Sequence, residues 1–265
     1  MKYALALLLA LAIVPAHAAL DWDTALNGPQ RSAENKARDD WRHPRATLEF
    51  FGIEEGMTVV ELSPGGGWYT EILAPLLAGN GKLYAAHFSP NAMGSSYFRN
   101  ALGGFLQKLA GNHELYGPVV VTSLAPPAET TVAPADSADL VVAFRNVHSW
   151  INMGSLDGTL AAAFTALKPG AVLGIVQHRA KAGDDPQAMA RSGYITEAYV
   201  IAAAEKAGFT LDGSSDINAN PKDTAEHPHG VWSLPPALRG GDEGRAGFEA
   251  IGESDRMTLR FRKPE

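Results

Sequence analysis

The stretch Glu61-Leu62-Ser63-Pro64-Gly65-Gly66-Gly67 is the one best suited to handling a small molecule. Three successive glycines remove every Cβ from a bend, so the backbone can take positive φ and a ligand can approach the main chain closely. The first turn of the helix expected after it, near Tyr69, aims unpaired N–H groups at that ligand. A second group lies further on, in Arg145-Asn146-Val147-His148-Ser149-Trp150. His148, with Asn146 nearby, is a candidate general base, because an imidazole titrates near neutrality. The competing reading is a histidine that only orders its loop. His87, His148 and His178 all fall at expected carboxyl ends of strands, and a histidine rim of that kind can bind zinc.

These residues need a sheet to hold them. The run Val59, Val60 and Leu62 suits a central parallel strand covered on both faces. In such a sheet, small molecules bind in the crevice beyond the carboxyl ends of the strands. Further strands are expected over 82–90, 118–122, 138–144 and 167–176, and residues 256–264 alternate polar and apolar as an antiparallel closing strand does. Helices are expected over 43–52, with Pro44 in the first turn and Gly52 as C-cap, and over 69–77, 156–167 and 197–208. Residues 91–112 read as a loop and an amphipathic helix around Phe98, Leu102 and Phe105. Residues 31–40 carry many charges of both signs and read as a solvated helix or arm, from which Arg38 and Arg42 can close over the crevice. Residues 218–255 form a long insertion, and Trp232 and Phe248 favour a partly ordered lid. His227 and His229, flanked by proline, belong on a surface.

Glu61-x-Ser63-x-Gly65-x-Gly67 resembles the acidic-x-Gly-x-Gly-x-Gly motif of class I S-adenosylmethionine-dependent methyltransferases, with Ser63 in place of the first glycine. The turn Leu167-Lys168-Pro169-Gly170 and the segment Ala204-Glu205-Lys206-Ala207-Gly208-Phe209 are similar to later stretches of that family, in the same order. The likeness runs from about Arg38 to the C-terminus and is nearest to exported bacterial proteins called methyltransferases whose reaction is not established. It implies an α/β fold, a Rossmann-like seven-stranded mostly parallel sheet of order 3-2-1-4-5-7-6 with the last strand antiparallel and helices on both faces. It also implies S-adenosylmethionine as cofactor. Around the first strand the implied contacts are Glu61, Ser63, Gly65, Gly66, Gly67 and Tyr69. His87, Ser123 and Arg145 complete the set, and His148 and Asn146 are the catalytic candidates. His87 and Ser123 stand where the family carries acids for the ribose and the adenine. In this strand order strands two and five lie far apart, so the three histidines cannot meet, and no metal is expected.

Residues 5–14 are apolar, Lys2 precedes them, and Ala16-His17-Ala18 is a small-x-small cleavage site. The expectation is a signal peptide over 1–18 without a twin arginine, and an exported, periplasmic or secreted, chain. Residues 19–265 then form one domain with an N-terminal arm over 19–42 and the lid-like insertion 218–255. The 265 residues are 46% hydrophobic and 19% charged, which is ample for a core. A formal net charge of −7 argues against nucleic acid or an anionic membrane as partner. The absence of cysteine excludes disulfides, thiolate metal sites and cysteine nucleophiles.

Three functions compete. The first is methyl transfer to an unknown small-molecule or protein acceptor. The second is a periplasmic ligand-binding or regulatory module that kept the fold and lost the chemistry, favoured by His87, Ser123 and export away from the methyl donor. The third is an NAD(P)-dependent oxidoreductase, disfavoured because Thr70 stands where a dinucleotide motif needs its third glycine.

Overall fold

The computed structural model describes residues 20–91, 96–181, 183 and 185–265, so the expected signal peptide lies outside the described residues. Seven strands form one sheet: β1 (Thr58–Leu62), β2 (Lys82–His87), β3 (Val120–Ser123), β4 (Ala138–Phe144), β5 (Leu167–His178), β6 (Thr210–Ser215) and β7 (Arg256–Arg262). Their order is β3-β2-β1-β4-β5-β7-β6. β1 pairs in parallel with β2 and β4, and so do β2 with β3 and β4 with β5. β7 runs antiparallel to both β5 and β6. The Rossmann-like arrangement expected from the sequence is the one found.

Val59 and Val60 are both fully buried because successive strand residues leave opposite faces of a sheet covered on both sides. Val60 joins Val141, Leu173 and Ile175 beneath the Leu156–Ala166 and Glu197–Lys206 helices. Val59 joins Leu140, Val142 and Val176 beneath the Pro44–Phe51 and Thr70–Leu76 helices. Each fully buried Leu or Ile in these layers contributes about 1.5–3 kcal/mol. Pro44 opens its helix where a missing N–H loses no bond, and Gly52 closes it at φ +81°, donating to the Leu48 and Glu49 carbonyls.

Residues 31–40 depart from the solvated arm expected. Arg31 is buried, its Nη1 and Nη2 holding the Asp39 carboxylate at 2.7 and 2.6 Å. Asn35 Nδ2 donates to both oxygens of Glu71, in the first turn of the Thr70–Leu76 helix. Glu34 and Asp40 stay exposed, but the Arg31–Asp39 and Asn35–Glu71 contacts fix the segment over the helix that follows the glycine turn. His227 departs in the same way: its Nε2 lies 2.8 Å from Oδ1 of the fully buried Asp223, which also accepts from Tyr194 Oη and the Asp255 N–H. β1, β4 and β5 end on one rim, where Ser63, Arg145 and His178 stand side by side, at the point where the strand order reverses.

Candidate functional site

The glycine turn is left-handed at Ser63 (φ +51°), Gly65 (φ +59°) and Gly67 (φ +78°). A Cβ built on Gly65 or Gly66 meets no atom of the described residues beyond its chain neighbours within 4 Å, whereas one on Gly67 meets the Phe105 ring at 3.0 Å. The first two glycines therefore leave open space, and the third packs under the Ser96–Gly111 helix. Ser63, Asn146 and His87, expected at the site, instead hold this turn, with Trp150 beside them. Trp150 Nε1 donates to Ser63 Oγ (3.2 Å), and Asn146 Nδ2 donates to the Leu62 and Ser63 carbonyls (3.2 and 3.0 Å). The Phe88 N–H donates to His87 Nδ1 (2.8 Å), so the imidazole proton is on Nε2, which donates to the Gly65 carbonyl at 3.0 Å. Both nitrogens of His87 are thus engaged away from any ribose.

Glu61 is 2% exposed, and its carboxylate accepts from Thr70 Oγ1 at 2.5 Å instead of reaching open space. The Tyr69 ring stacks on Phe144 with centroids 3.4 Å apart, and Trp68 meets its edge. Ser123, beside His87 in the β2–β3 register, is half-buried and stands outside the cleft lining. Trp68 does line the cleft, yet Arg31 and Arg42 lie over its ring at 4.9 and 4.7 Å, so a cation already covers it.

The cleft itself has a volume of about 700 Å³ and is bounded by Ser63, Gly65, Gly66, Arg145, His148 and His178 at the strand ends. Arg38 and Arg42 close it from the N-terminal segment, and Trp232 and Arg239 from 218–255. A smaller pocket of about 150 Å³ adjoins it, sharing Ser63, Phe98 and Met153 and lined further by Phe88, Leu124, Pro126 and Trp150. Among the described residues, no three His, Asp or Glu side chains gather closely enough to hold a metal ion.

His148 lines the cleft beside His178, with ring centroids 5.7 Å apart because β4 and β5 are neighbours. Gln177 Nε2 donates to the Gly193 carbonyl (2.9 Å), which fixes the amide, and to His148 Nδ1 (3.3 Å). The neutral ring therefore carries its proton on Nε2. Burial, with a smaller push from the Arg145 charge, pulls His148 down to about 4. At neutral pH it is a hydrogen-bond donor and a poor proton acceptor, unlike the base near neutrality expected from the sequence.

Residues that sequence reasoning missed lie behind the cleft wall. Glu253 takes Arg38 Nε (2.5 Å) and Arg42 Nε (3.1 Å), and a third guanidinium, that of Arg256. Burial pushes the Glu253 carboxyl up, but Arg256, Arg42 and Arg38 outweigh it and hold the group at about 2. The available signal was weak: Glu253-Ser254-Asp255 precedes β7, whose first residue, Arg256, is in register with His178.

Glu61 and His148 make stability depend on pH in opposite senses. Burial raises Glu61 from 4.5 to about 7, so its contribution is full below 4.5 and is lost as pH rises through 7. His148 is lowered from 6.5 to about 4, so its contribution is full above 6.5 and is lost as pH falls through 4. Each shift corresponds to about 3 kcal/mol, and the two offset each other between pH 4.5 and 6.5. Glu61→Gln keeps an acceptor for Thr70 and removes the ionisation. It should be about 3 kcal/mol more stable than wild type at pH 8 and equal to it at pH 4.5. Urea denaturation across that range checks this, and a difference independent of pH would contradict it.

The sheet order, its reversal between β1 and β4, and the glycine turn at that point define the fold of class I S-adenosylmethionine-dependent methyltransferases. No family model matches the sequence, and no curated protein matches it. Among solved structures it is similar to a SAM-dependent methyltransferase from Aquifex aeolicus (TM-score 0.52, 21% identity, 69% of this chain and 87% of that one). It is also similar to the cyclase SpnF (TM-score 0.58, 17% identity, 89% and 85% covered). Geranyl diphosphate methyltransferase in complex with SAM is a third (TM-score 0.56, 11% identity, 95% and 100% covered). At such identities the likeness is one of fold, and the presence of a cyclase among these structures shows that the fold does not fix the reaction.

Proposed function

We propose that the protein binds S-adenosylmethionine and transfers its methyl group to an acceptor held in the larger cleft. The observation that carries this is the bare turn at Gly65 and Gly66, open where a Cβ would stand, in the wall of a polar cleft of about 700 Å³ that an apolar pocket of about 150 Å³ adjoins at Ser63. The smaller pocket, walled by Phe88, Leu124, Pro126 and Trp150, suits a flat nucleobase. The amino acid end of the donor would cross Gly65 and Gly66 into the cleft. The donor supplies a methyl group on a sulfonium, whose leaving sulfur keeps the bonding electron pair. This chain positions the partners: Asn146 and His87 fix the turn through its carbonyls, and His148 offers a hydrogen-bond donor on the acceptor side. Asn146 is thus proposed as a positioning residue.

Titration of the purified protein with S-adenosylhomocysteine tests the reading. Saturable heat is expected, and at one hundred times Kd the ligand stabilises the folded state by about 2.7 kcal/mol. For a chain of this size that is a rise in Tm of roughly 5–10 °C. No heat and no shift at millimolar ligand would overturn the proposal.

A further inference from the structure

The charge of the larger cleft is one-sided. Arg38, Arg42, Arg145 and Arg239 line it, and among the described residues no aspartate or glutamate does. Glu253, behind the wall, is shared by Arg38, Arg42 and Arg256, so one carboxylate faces three guanidiniums. Arg38 Nη2 and Arg42 Nη2 are buried and find no hydrogen-bond partner among the described residues, and the Arg42 side chain is only 3% exposed. A buried N–H of a cation left without an acceptor is more destabilising than that of a neutral group, so such groups are normally paired.

Arg145 adds to this surplus. Its backbone is left-handed at φ +64°, a conformation strained for any residue that bears a side chain. Its N–H donates to the Val176 carbonyl at 2.7 Å, which holds the strained turn in place. The Arg145 guanidinium lines the cleft and makes no ion pair among the described residues. Strain retained at a charged residue with no direct ion pair among the described residues points to function.

We propose that Arg145, together with Arg38 and Arg42, binds an oxyanion, a carboxylate or a phosphate, carried by the methyl acceptor. This rests on the methyl-transfer reading and names the class of acceptor. The planar guanidinium fork matches either oxyanion in bidentate fashion. Where an oxygen of that anion is itself the attacking atom, no base is required. Among the described residues no carboxylate lines the cleft, and His148 already carries its proton on Nε2. An attacking atom that arrives with a free lone pair needs no proton removed: its pair forms the new bond to the methyl carbon, and the C–S pair stays on sulfur.

The rival occupant is the α-carboxylate of the donor itself, and calorimetry separates the two. Inorganic phosphate and malonate are titrated into the purified protein, alone and with saturating S-adenosylhomocysteine, using wild type, Arg145→Met and Arg145→Lys. One of the two anions should bind saturably, and which one identifies the group. Its affinity should fall tenfold or more in Arg145→Met and recover in part in Arg145→Lys. S-adenosylhomocysteine affinity should stay within about threefold in every arm. Binding of neither anion would overturn the inference while leaving the methyl-transfer reading intact. Competition between the anion and S-adenosylhomocysteine would overturn it by assigning the arginines to the donor. Anion binding with no response to S-adenosylhomocysteine would remove the methyl-transfer reading and the acceptor role with it. The wild-type arms decide the question even if a variant fails to fold.

Discussion

Gly65→Val should reduce S-adenosylhomocysteine affinity at least 100-fold, about 2.8 kcal/mol, while leaving most of the protein folded. Gly65 is left-handed at φ +59°, so any side chain there costs about 1–2 kcal/mol of stability. Its Cβ would meet no atom of the described residues beyond its chain neighbours within 4 Å and would project into the space the donor is proposed to cross. Gly67→Val is the matched control. It carries the same left-handed strain at φ +78°, but its Cβ strikes the Phe105 ring at 3.0 Å and Lys108 Cδ at 3.3 Å, within the fold. Overpacking there adds about 1–3 kcal/mol of destabilisation. The expected pattern is a crossover: Gly67→Val is the less stable variant, and Gly65→Val is the weaker binder among molecules that remain folded. Urea denaturation and calorimetry on both variants read the two axes separately. Gly65→Val binding S-adenosylhomocysteine within threefold of wild type would mean that the donor does not cross this turn.

The contrast between these glycines shows what a sequence carries and what it does not. The frame was legible because each of its parts is a local pattern. Val59 and Val60 announce a strand buried on both faces, Pro44 and Gly52 bracket a helix, and residues 256–264 alternate as an antiparallel strand does. The place of the cleft follows from strand order, and so does the meeting of His148 with His178 on neighbouring strands. The division of labour within the cleft was not legible, because it turns on contacts between residues far apart in the chain. That Gly67 faces Phe105 while Gly65 faces open space depends on where the Ser96–Gly111 helix lands. The His87 ring is captured by the Gly65 carbonyl across two strands, and the Asn146 amide by the carbonyls of Leu62 and Ser63. The resemblance implied cofactor contacts at Gly67 and His87 and a catalytic part for Asn146, and geometry turns all three to building the turn. The charges of 31–40 misled for the same reason, since the partners of Asn35 and Arg38 are Glu71 and Glu253.

Glu253→Gln is expected to be the most destabilising conservative change in the protein, by about 3–5 kcal/mol, the range found when one member of a buried ion pair is removed. The shape of the side chain is kept, and its remaining oxygen can still accept one guanidinium N–H. Lost is the one negative charge facing Arg38, Arg42 and Arg256, with the Arg145 charge close by. Arginine does not escape by giving up its proton at neutral pH, so repulsion between these groups must be relieved by opening the wall of the cleft. The pH profile separates this electrostatic origin from a packing defect. Glu253 is lowered from 4.5 to about 2, so its contribution is full above pH 4.5 and is lost as pH falls through 2, amounting to about 3 kcal/mol. Wild type and Glu253→Gln should therefore differ most at pH 7 and converge towards pH 2 in urea denaturation. If the arginines also form an oxyanion site, added phosphate should restore more stability to Glu253→Gln than it adds to wild type, because it supplies the missing countercharge. A variant within about 1 kcal/mol of wild type at pH 7 would show that these guanidiniums are solvated well enough to dispense with Glu253. An unpaired arginine bank awaiting an anion would then be ruled out, since groups that water already satisfies have no need of a ligand.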